Sequence, residues 1–431
     1  MSNNHLSLNT VGLEIPSILL PKNADLQKWA VIACDQFTQD RDYWEKAKAA
    51  AAGAPSTLNM IFPEVFLQDG DAEKRITDIH ATMKKYLQEG VFAEPKQGFI
   101  YIERDTPFQK KRRGLVAAID LEQYDWKPDA RPLIRCTEGT VEDRLPPRMD
   151  IRRGAPLELP HVLLLIDDDT DSVLPAIGEK VKKNAPVYET ELMMNSGCVS
   201  GWFVDTAELS FLAENLEELF RRSVTRYIDG HNSPPFLFAV GDGNHSLAAA
   251  KGIWEEYKAA NGCSIHPCRY ALVEIENIYD PAIQFEPIHR LVFGMGFDEV
   301  ISLLSVLPDF SCCSIANAEE LITACKTNNA VNCFGIISQG RYALVETSAA
   351  GIATACLQSL LDKTGLEIDY IHDDDELLRL SAVPNRAGIL LPPVKKAGLF
   401  ETVARLGPLP RKSFSMGHSC EKRFYLECRS L

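Results

Sequence analysis

The sequence lacks any apolar run long enough to cross a membrane. Its longest, such as Val162 to Ile166, fall far short of the roughly 20 residues a spanning helix needs. It also lacks a surplus of positive charge: Lys+Arg 45 against Asp+Glu 60 gives a net charge of -15. A field of that sign repels polyphosphate backbones and anionic lipid, so neither nucleic acid nor membrane is expected as a partner. The stretch from Met1 to Leu20 carries Asn3, Asn4 and His5 and no basic segment leading into a long apolar one, so no secretory signal is expected. Paired C-x2-C spacings are missing as well, and the 12 cysteines are scattered. Cys263 and Cys268 bracket His266, and Cys420 and Cys428 lie near His418, but neither group has the spacing of a structural zinc site. They are read as buried or idle thiols in a reducing compartment, with a cytoplasmic location expected. Internal repeats, low-complexity tracts and heptad arrays are also missing.

What is present is a globular composition: 431 residues, 45% hydrophobic and 24% charged. Short apolar runs alternate irregularly with amphipathic stretches. Strands are predicted at 29–33, 98–103, 114–121, 161–166, 187–190, 199–204, 235–240 and 269–275. Helices are predicted at 38–51, 72–89, 168–183, 206–229 and 245–260. Lys110 to Arg113 reads as a solvated hairpin end. After Gly294-Met-Gly296 a compact α/β stretch follows, and the acidic run Asp373 to Glu376 reads as a helix N-terminus. The class is therefore α+β (mixed α/β). The expected division is a main domain over 1–295, a small α/β subdomain over 296–370, and a segment over 371–431 returning to the main domain.

Between Pro128 and Pro160 the cations are Arg131, Arg135, Arg144, Arg148, Arg152 and Arg153, with few other helix or strand signals. Guanidinium forks grip phosphate or carboxylate bidentately. Two readings stay open: these arginines close over an anion, or they pair with Glu138, Glu142, Asp143, Asp150 and Glu158.

The most specific local feature is the strand Phe236 to Val240, the turn Gly241-Asp-Gly-Asn-His-Ser246, and the helix that begins near Leu247. Glycines at 241 and 243 would let the backbone take positive φ, and the helix N-terminus would face an anion. Asp242 and His245 place an acid and an imidazole there, able to hold a metal or move protons. The plainer alternative is an ordinary strand-to-helix turn capped by Asp242 or Asn244.

The run Val240-Gly-Asp-Gly-Asn-His-Ser-Leu-Ala-Ala-Ala250 resembles the D-G-H-H-R-x-x-A-A core of the DUF1015 family. Further matching stretches occur in family order: Trp29 to Gln36 with Tyr43-Trp44, Gly114 to Ala118, Ile134 to Glu138, Phe285 to Arg290, and Leu409 to Ser413. The turn is also similar to one in the ParB/sulfiredoxin superfamily, whose members include a kinase for free serine. That resemblance implies a ParB/sulfiredoxin-like core with an added small subdomain. It further implies phosphoryl transfer on a small hydroxylated metabolite, with free serine or phosphoserine favoured in a role in serine metabolism. ATP or ADP and Mg2+ are the implied cofactors. Glu138, Asp242 and His245 would be catalytic, with Asp242 also holding the metal. Gly241, Gly243, Asn244, Ser246, Arg135, Arg144, Arg148, Asp35, His289, Arg290 and Lys412 would bind substrate or phosphate. One departure stands out: Ser246 replaces the arginine of the motif, so a neighbouring cation has to supply its charge. Arg135, Arg144, Arg148, Arg290 and Lys412 are the candidates. The alternatives are a nucleotide- or metabolite-binding protein without turnover, and a phosphatase using the same anion site. A nucleophilic Cys34, and a purely structural ion pair at His289-Arg290, also remain open.

Overall fold

The computed structural model describes residues 8–227, 234–262, 265–328, 332–349 and 352–431. Asn3, Asn4 and His5, the far end of the 206–229 helix, and Cys263 lie outside the described residues. The chain divides into two compact units: Met1–Ile283 with Gly398–Pro408 and Gly417–Leu431, and Gln284–Ala397 with Leu409–Met416.

The larger unit is built on a ten-stranded mixed sheet. Its strands in chain order are β1 (Leu13–Glu14), β3 (Phe99–Asp105), β4 (Arg112–Asp120), β5 (Tyr124–Asp125), β6 (Ile134–Cys136), β7 (Leu163–Ile166), β8 (Tyr188–Glu191), β9 (Cys198–Val204), β10 (Phe238–Asp242) and β11 (Tyr270–Asn277), while β2 (Val31–Ile32) lies apart. The order across the sheet is β8-β9-β3-β4-β11-β7-β10-β6-β5, with β1 on β4. Most neighbours are antiparallel, but β7 runs parallel to β11, and β10, β6 and β5 are mutually parallel. The class is mixed α/β, as the alternating pattern predicts.

Period-two alternation explains why both faces are covered. Phe99, Tyr101, Leu115, Ala117, Ile119, Leu164, Ile166, Phe238 and Val240 point into one core. Helices Val173–Val181, Thr206–Arg226 and Asn244–Asn261 contribute to the same core. Ile100, Ile102 and Val116 point the other way, into a core shared with Trp29, Trp44 and Phe424. That second face is closed by helices Arg41–Ala51 and Ala72–Gln88 and by the strand β12 (Phe424–Tyr425), which pairs antiparallel with β2.

Two local expectations change. Only Lys110 and Lys111 form the hairpin end, because Arg112 is buried against Glu276 and Arg113 is held by Asp280 and Asp171. The arginine-rich stretch is also more regular than its prolines imply. It contains β6 and the helix Leu145–Arg152, whose Pro146 and Pro147 occupy the opening positions where a missing N–H does no harm.

The smaller unit is a six-stranded antiparallel sheet in the order Ser311–Ile315, Arg341–Thr347, Asn332–Ser338, Arg386–Leu390, His289–Phe293, Ile368–Ile371. His289–Phe293 and Arg386–Leu390 hydrogen-bond to each other in this sheet, so the unit begins earlier and ends later than the expected 296–370. Asp373 caps the helix Asp374–Ser381, as the acidic run predicts.

Candidate functional site

Strand β10 lies between β6, parallel to it, and β7, antiparallel to it. It opens directly into the helix α1 of this site, Asn244–Asn261. Gly243 makes the junction, at φ +81. A Cβ there would sit 3.1 Å from both the Cα and a methyl carbon of Val162, so the position needs glycine for conformation and for space. Gly241 remains inside β10, so the expected pair of pliant glycines reduces to one. The N-cap is Gly243 itself, without a side-chain cap, rather than Asp242 or Asn244. The buried Oδ1 of Asn244 has no hydrogen-bond partner among the described residues.

Around this turn the chain gathers ionisable side chains from distant segments. Lys422 Nζ lies 3.3 Å from Asp242 Oδ2. His245 Nε2 accepts the Val141 N–H at 3.2 Å. Ser246 Oγ is 2.7 Å from His161 Nε2, and the other ring nitrogen, Nδ1, is 2.9 Å from the Tyr425 hydroxyl. That hydroxyl accepts the Cys34 N–H at 3.2 Å and donates to Cys34 Sγ at 3.2 Å. Asp35 Oδ2 sits 3.9 Å from His161 Nε2, while its Oδ1 accepts from Gln36. The β2–β12 pairing, continued by Ala33 N–H to Arg423 C=O, is what sets Cys34 and Asp35 beside Lys422 and Tyr425. Glu64 N–H bonds to Cys34 C=O, and the Glu64 carboxylate is held by Arg148.

The carboxylates of this cluster are driven apart. Burial alone would raise Asp35, but the His161 ring, the Gln36 hydrogen bond, Lys422 and Arg148 outweigh it and hold the carboxyl below its usual value. At Glu64 burial wins over Arg148, and the negative charge of Asp35 adds to it, so this carboxyl is pushed up. One acid kept ionised next to one made easier to protonate is the pattern of acid–base sites. The Cys34 thiol is pushed far up by burial and then by Asp35 and Glu64, which removes it as a nucleophile at neutral pH. Glu64 and Arg148 also form one wall of a cavity of about 850 Å³, together with Thr38, Asp42, Gln68 and Arg144.

The family model described as "Protein of unknown function (DUF1015)" matches residues 18–364. The chain belongs to this family. No curated protein matches it. Among solved structures it is similar to a conserved hypothetical protein from Pyrococcus furiosus, at 11% identity and TM-score 0.35, covering 73% of this chain and 94% of that one. It is similar to a free serine kinase in complex with AMP at 11% identity and TM-score 0.36, covering 72% and 90%. SbnI from Staphylococcus aureus, with a C-terminal truncation, gives 9% identity and TM-score 0.38, covering 73% and 87%.

In this DUF1015 member the residues singled out from sequence fall into three groups. Asp35, Asp242, Gly243, Asn244, His245, Ser246 and Arg148 lie at the turn or in the cluster linked to it, and Arg144 lies exposed at the cavity wall. Glu138 is half-buried. It lies two residues beyond the end of β6, whose Cys136 is opposite Val240, and the intervening Thr137 Oγ1 donates to Val240 C=O. Arg135 is turned away from the turn. Its guanidinium donates to Pro132 and Pro234 carbonyls over the Phe236 ring, and burial lowers it to about 10. Arg131 folds onto the Pro128 and Ala130 carbonyls. Arg152 pairs with Glu158, and Arg153 with Asp150 and Glu256, so much of the arginine stretch is ion-pair latticework.

His289, Arg290 and Lys412 belong to the smaller unit. His289 takes the Leu391 N–H at Nδ1, so Nε2 donates to Asp374 at 2.7 Å. Arg290 is fully buried, bonded to Gln358, the Ile288 carbonyl and the Lys412 carbonyl. Glu64, His161, Lys422 and Tyr425 were not legible in the sequence. The available signals were small: a histidine directly before a buried strand, and a lysine inside a segment that otherwise reads as core.

Proposed function

We infer that the turn binds the phosphates of a nucleotide and that the protein moves a phosphoryl group to a small hydroxylated metabolite. The observation that carries this reading is the N-terminus of α1, opening on Gly243 without a side-chain cap and flanked by the buried Lys422. Backbone amides and a dipole end there favour negative charge, and Lys422 supplies the cation that Ser246 replaced in the motif. Phosphoryl transfer depends mainly on positioning and charge neutralisation, which such a turn provides. Glu138, two residues past the end of β6, takes the proton of the acceptor hydroxyl. Arg144 and Arg148 face the cavity in which the acceptor is held. Free serine or phosphoserine is the first acceptor to test, on the resemblance of the turn motif.

Among the described residues no group of three or more His, Cys, Asp or Glu is arranged to hold a metal. Asp242 is already neutralised by Lys422, so the residues fit Mg2+ only as an ion carried in on nucleotide phosphates, with Asp242 as a protein ligand. Bound there, it would neutralise phosphate oxygens.

Calorimetric titration with ATP, ADP and AMP, followed by a phosphate-transfer assay with hydroxy amino acids, tests the reading. Nucleotide binding is expected, and Asp242→Asn should abolish transfer while the melting temperature stays within a few degrees. A protein that binds neither nucleotide nor phosphoserine refutes it.

A further inference from the structure

Ser246 does more than vacate the place of an arginine. Its Oγ lies 2.7 Å from His161 Nε2, and the direction of that bond follows from the far side of the ring. The Tyr425 hydroxyl has one proton, which it donates to Cys34 Sγ, while it accepts the Cys34 N–H. With its proton on sulfur it meets His161 Nδ1, 2.9 Å away, as an acceptor, the arrangement in which Nδ1 carries the imidazole proton. Nε2 is left with its lone pair, and the Ser246 hydroxyl donates to it. Nucleophile, base and orienting group are then aligned in the order that activates a serine. Asp35, kept ionised, stands 3.9 Å from Nε2, where it stabilises the imidazolium formed once the proton is taken. The Cys34 thiol is held protonated by its burial, so no thiolate competes with Ser246.

We propose that Ser246 is a nucleophile towards phosphorus, activated by His161, and that the phosphoryl group passes through a phosphoserine at this position. The choice of a nucleotide as donor rests on the function inferred above; the nucleophile itself does not. In the first step Ser246 Oγ bonds to the terminal phosphorus. The bond from that phosphorus to its bridging oxygen breaks, and the shortened nucleotide leaves with the electron pair. The hydroxyl proton passes to His161 Nε2. In the second step the acceptor hydroxyl bonds to phosphorus and gives its proton to Glu138. Ser246 Oγ leaves with the phosphorus–oxygen pair and recovers the proton from His161, restoring both residues, and Glu138 releases its proton to solvent.

A fluorophosphonate probe tests the nucleophile without any nucleotide, since it forms a serine–phosphorus bond and releases fluoride. Mass spectrometry of the intact, folded protein should find a single adduct on the peptide carrying Ser246, lost in Ser246→Ala. His161→Gln should slow labelling by roughly 100-fold, the scale of a lost general base, with the melting temperature little changed. Asp35→Asn should slow it several-fold, and serves in place of the histidine variant if that one does not fold. No adduct at Ser246, or an adduct that forms at an unchanged rate in both variants, overturns the proposal. An ADP titration separates the two ideas. Labelling at Ser246 without nucleotide binding supports the nucleophile and sinks the nucleotide donor, whereas nucleotide binding without labelling leaves the donor and sinks the nucleophile.

Discussion

Replacing Lys422 by methionine probes the electrostatics of the turn most directly, because it removes the charge and keeps the length of the side chain. The ammonium stands 3.3 Å from Asp242 Oδ2, and the two side chains are 5% and 24% exposed. Two unit charges at that separation attract by about 5 kcal/mol at an effective dielectric of about 20. Desolvation of the lysine, and the water that reaches Asp242, consume much of this. A double-mutant cycle of Lys422→Met with Asp242→Asn should therefore show coupling of about 1–3 kcal/mol in thermal or denaturant unfolding. The same lysine is the charge offered to phosphate at the turn. Losing a charge-assisted contact of about 1.5–3 kcal/mol weakens ADP binding by roughly 10- to 150-fold, read by calorimetry. Additive effects on stability together with unchanged ADP affinity would refute the argument, since no other placement of Lys422 at the turn predicts both.

Gly243→Ala forces a side chain into a left-handed conformation against Val162, so stability should fall by roughly 1–3 kcal/mol, seen as a lower melting temperature with weaker ADP binding. Glu276 is fully buried, and burial raises its carboxyl to about 8, with Arg112 opposing and Glu274 and Asp280 adding to the shift. Folding therefore retains a proton that the unfolded chain releases above its ordinary glutamate value near 4.5. The associated stability is present at acid pH and is lost as pH rises towards 8. Glu276→Gln should flatten the decline of melting temperature between pH 5 and 8, and an unchanged slope would show that the carboxyl does not titrate there.

The turn was legible because three independent signals coincide within ten residues: a buried strand, a glycine where only glycine fits, and an amphipathic helix. Asp35 was legible only through its family resemblance. Its partner Lys422 was not, because the contacts that deliver it join residues almost 400 positions apart through two-residue strands, Val31–Ile32 and Phe424–Tyr425, too short to show a period. The arginine stretch misled in part for a chemical reason. A guanidinium binds carboxylate as readily as phosphate, and Glu64, Glu158 and Glu256, the first and last of them far away in sequence, claim Arg148, Arg152 and Arg153. By their types alone His289 and Arg290 fit either a structural ion pair or a ligand clamp. Their burial inside a separate sheet, with Asp374, Leu391 and Gln358 of that unit among their partners, is a property that a linear reading does not contain.

The pairing of β12 with β2 ties two ends of the sequence to one site. A chain that ended before residue 422 would lack the ammonium beside Asp242, the phenol beside His161 and the aromatic pair that closes the second core. The short pairing of β12 with β2 thus serves the packing of the second core and the chemistry proposed for Ser246 at once, since Phe424 fills that core while its neighbours Lys422 and Tyr425 reach the turn.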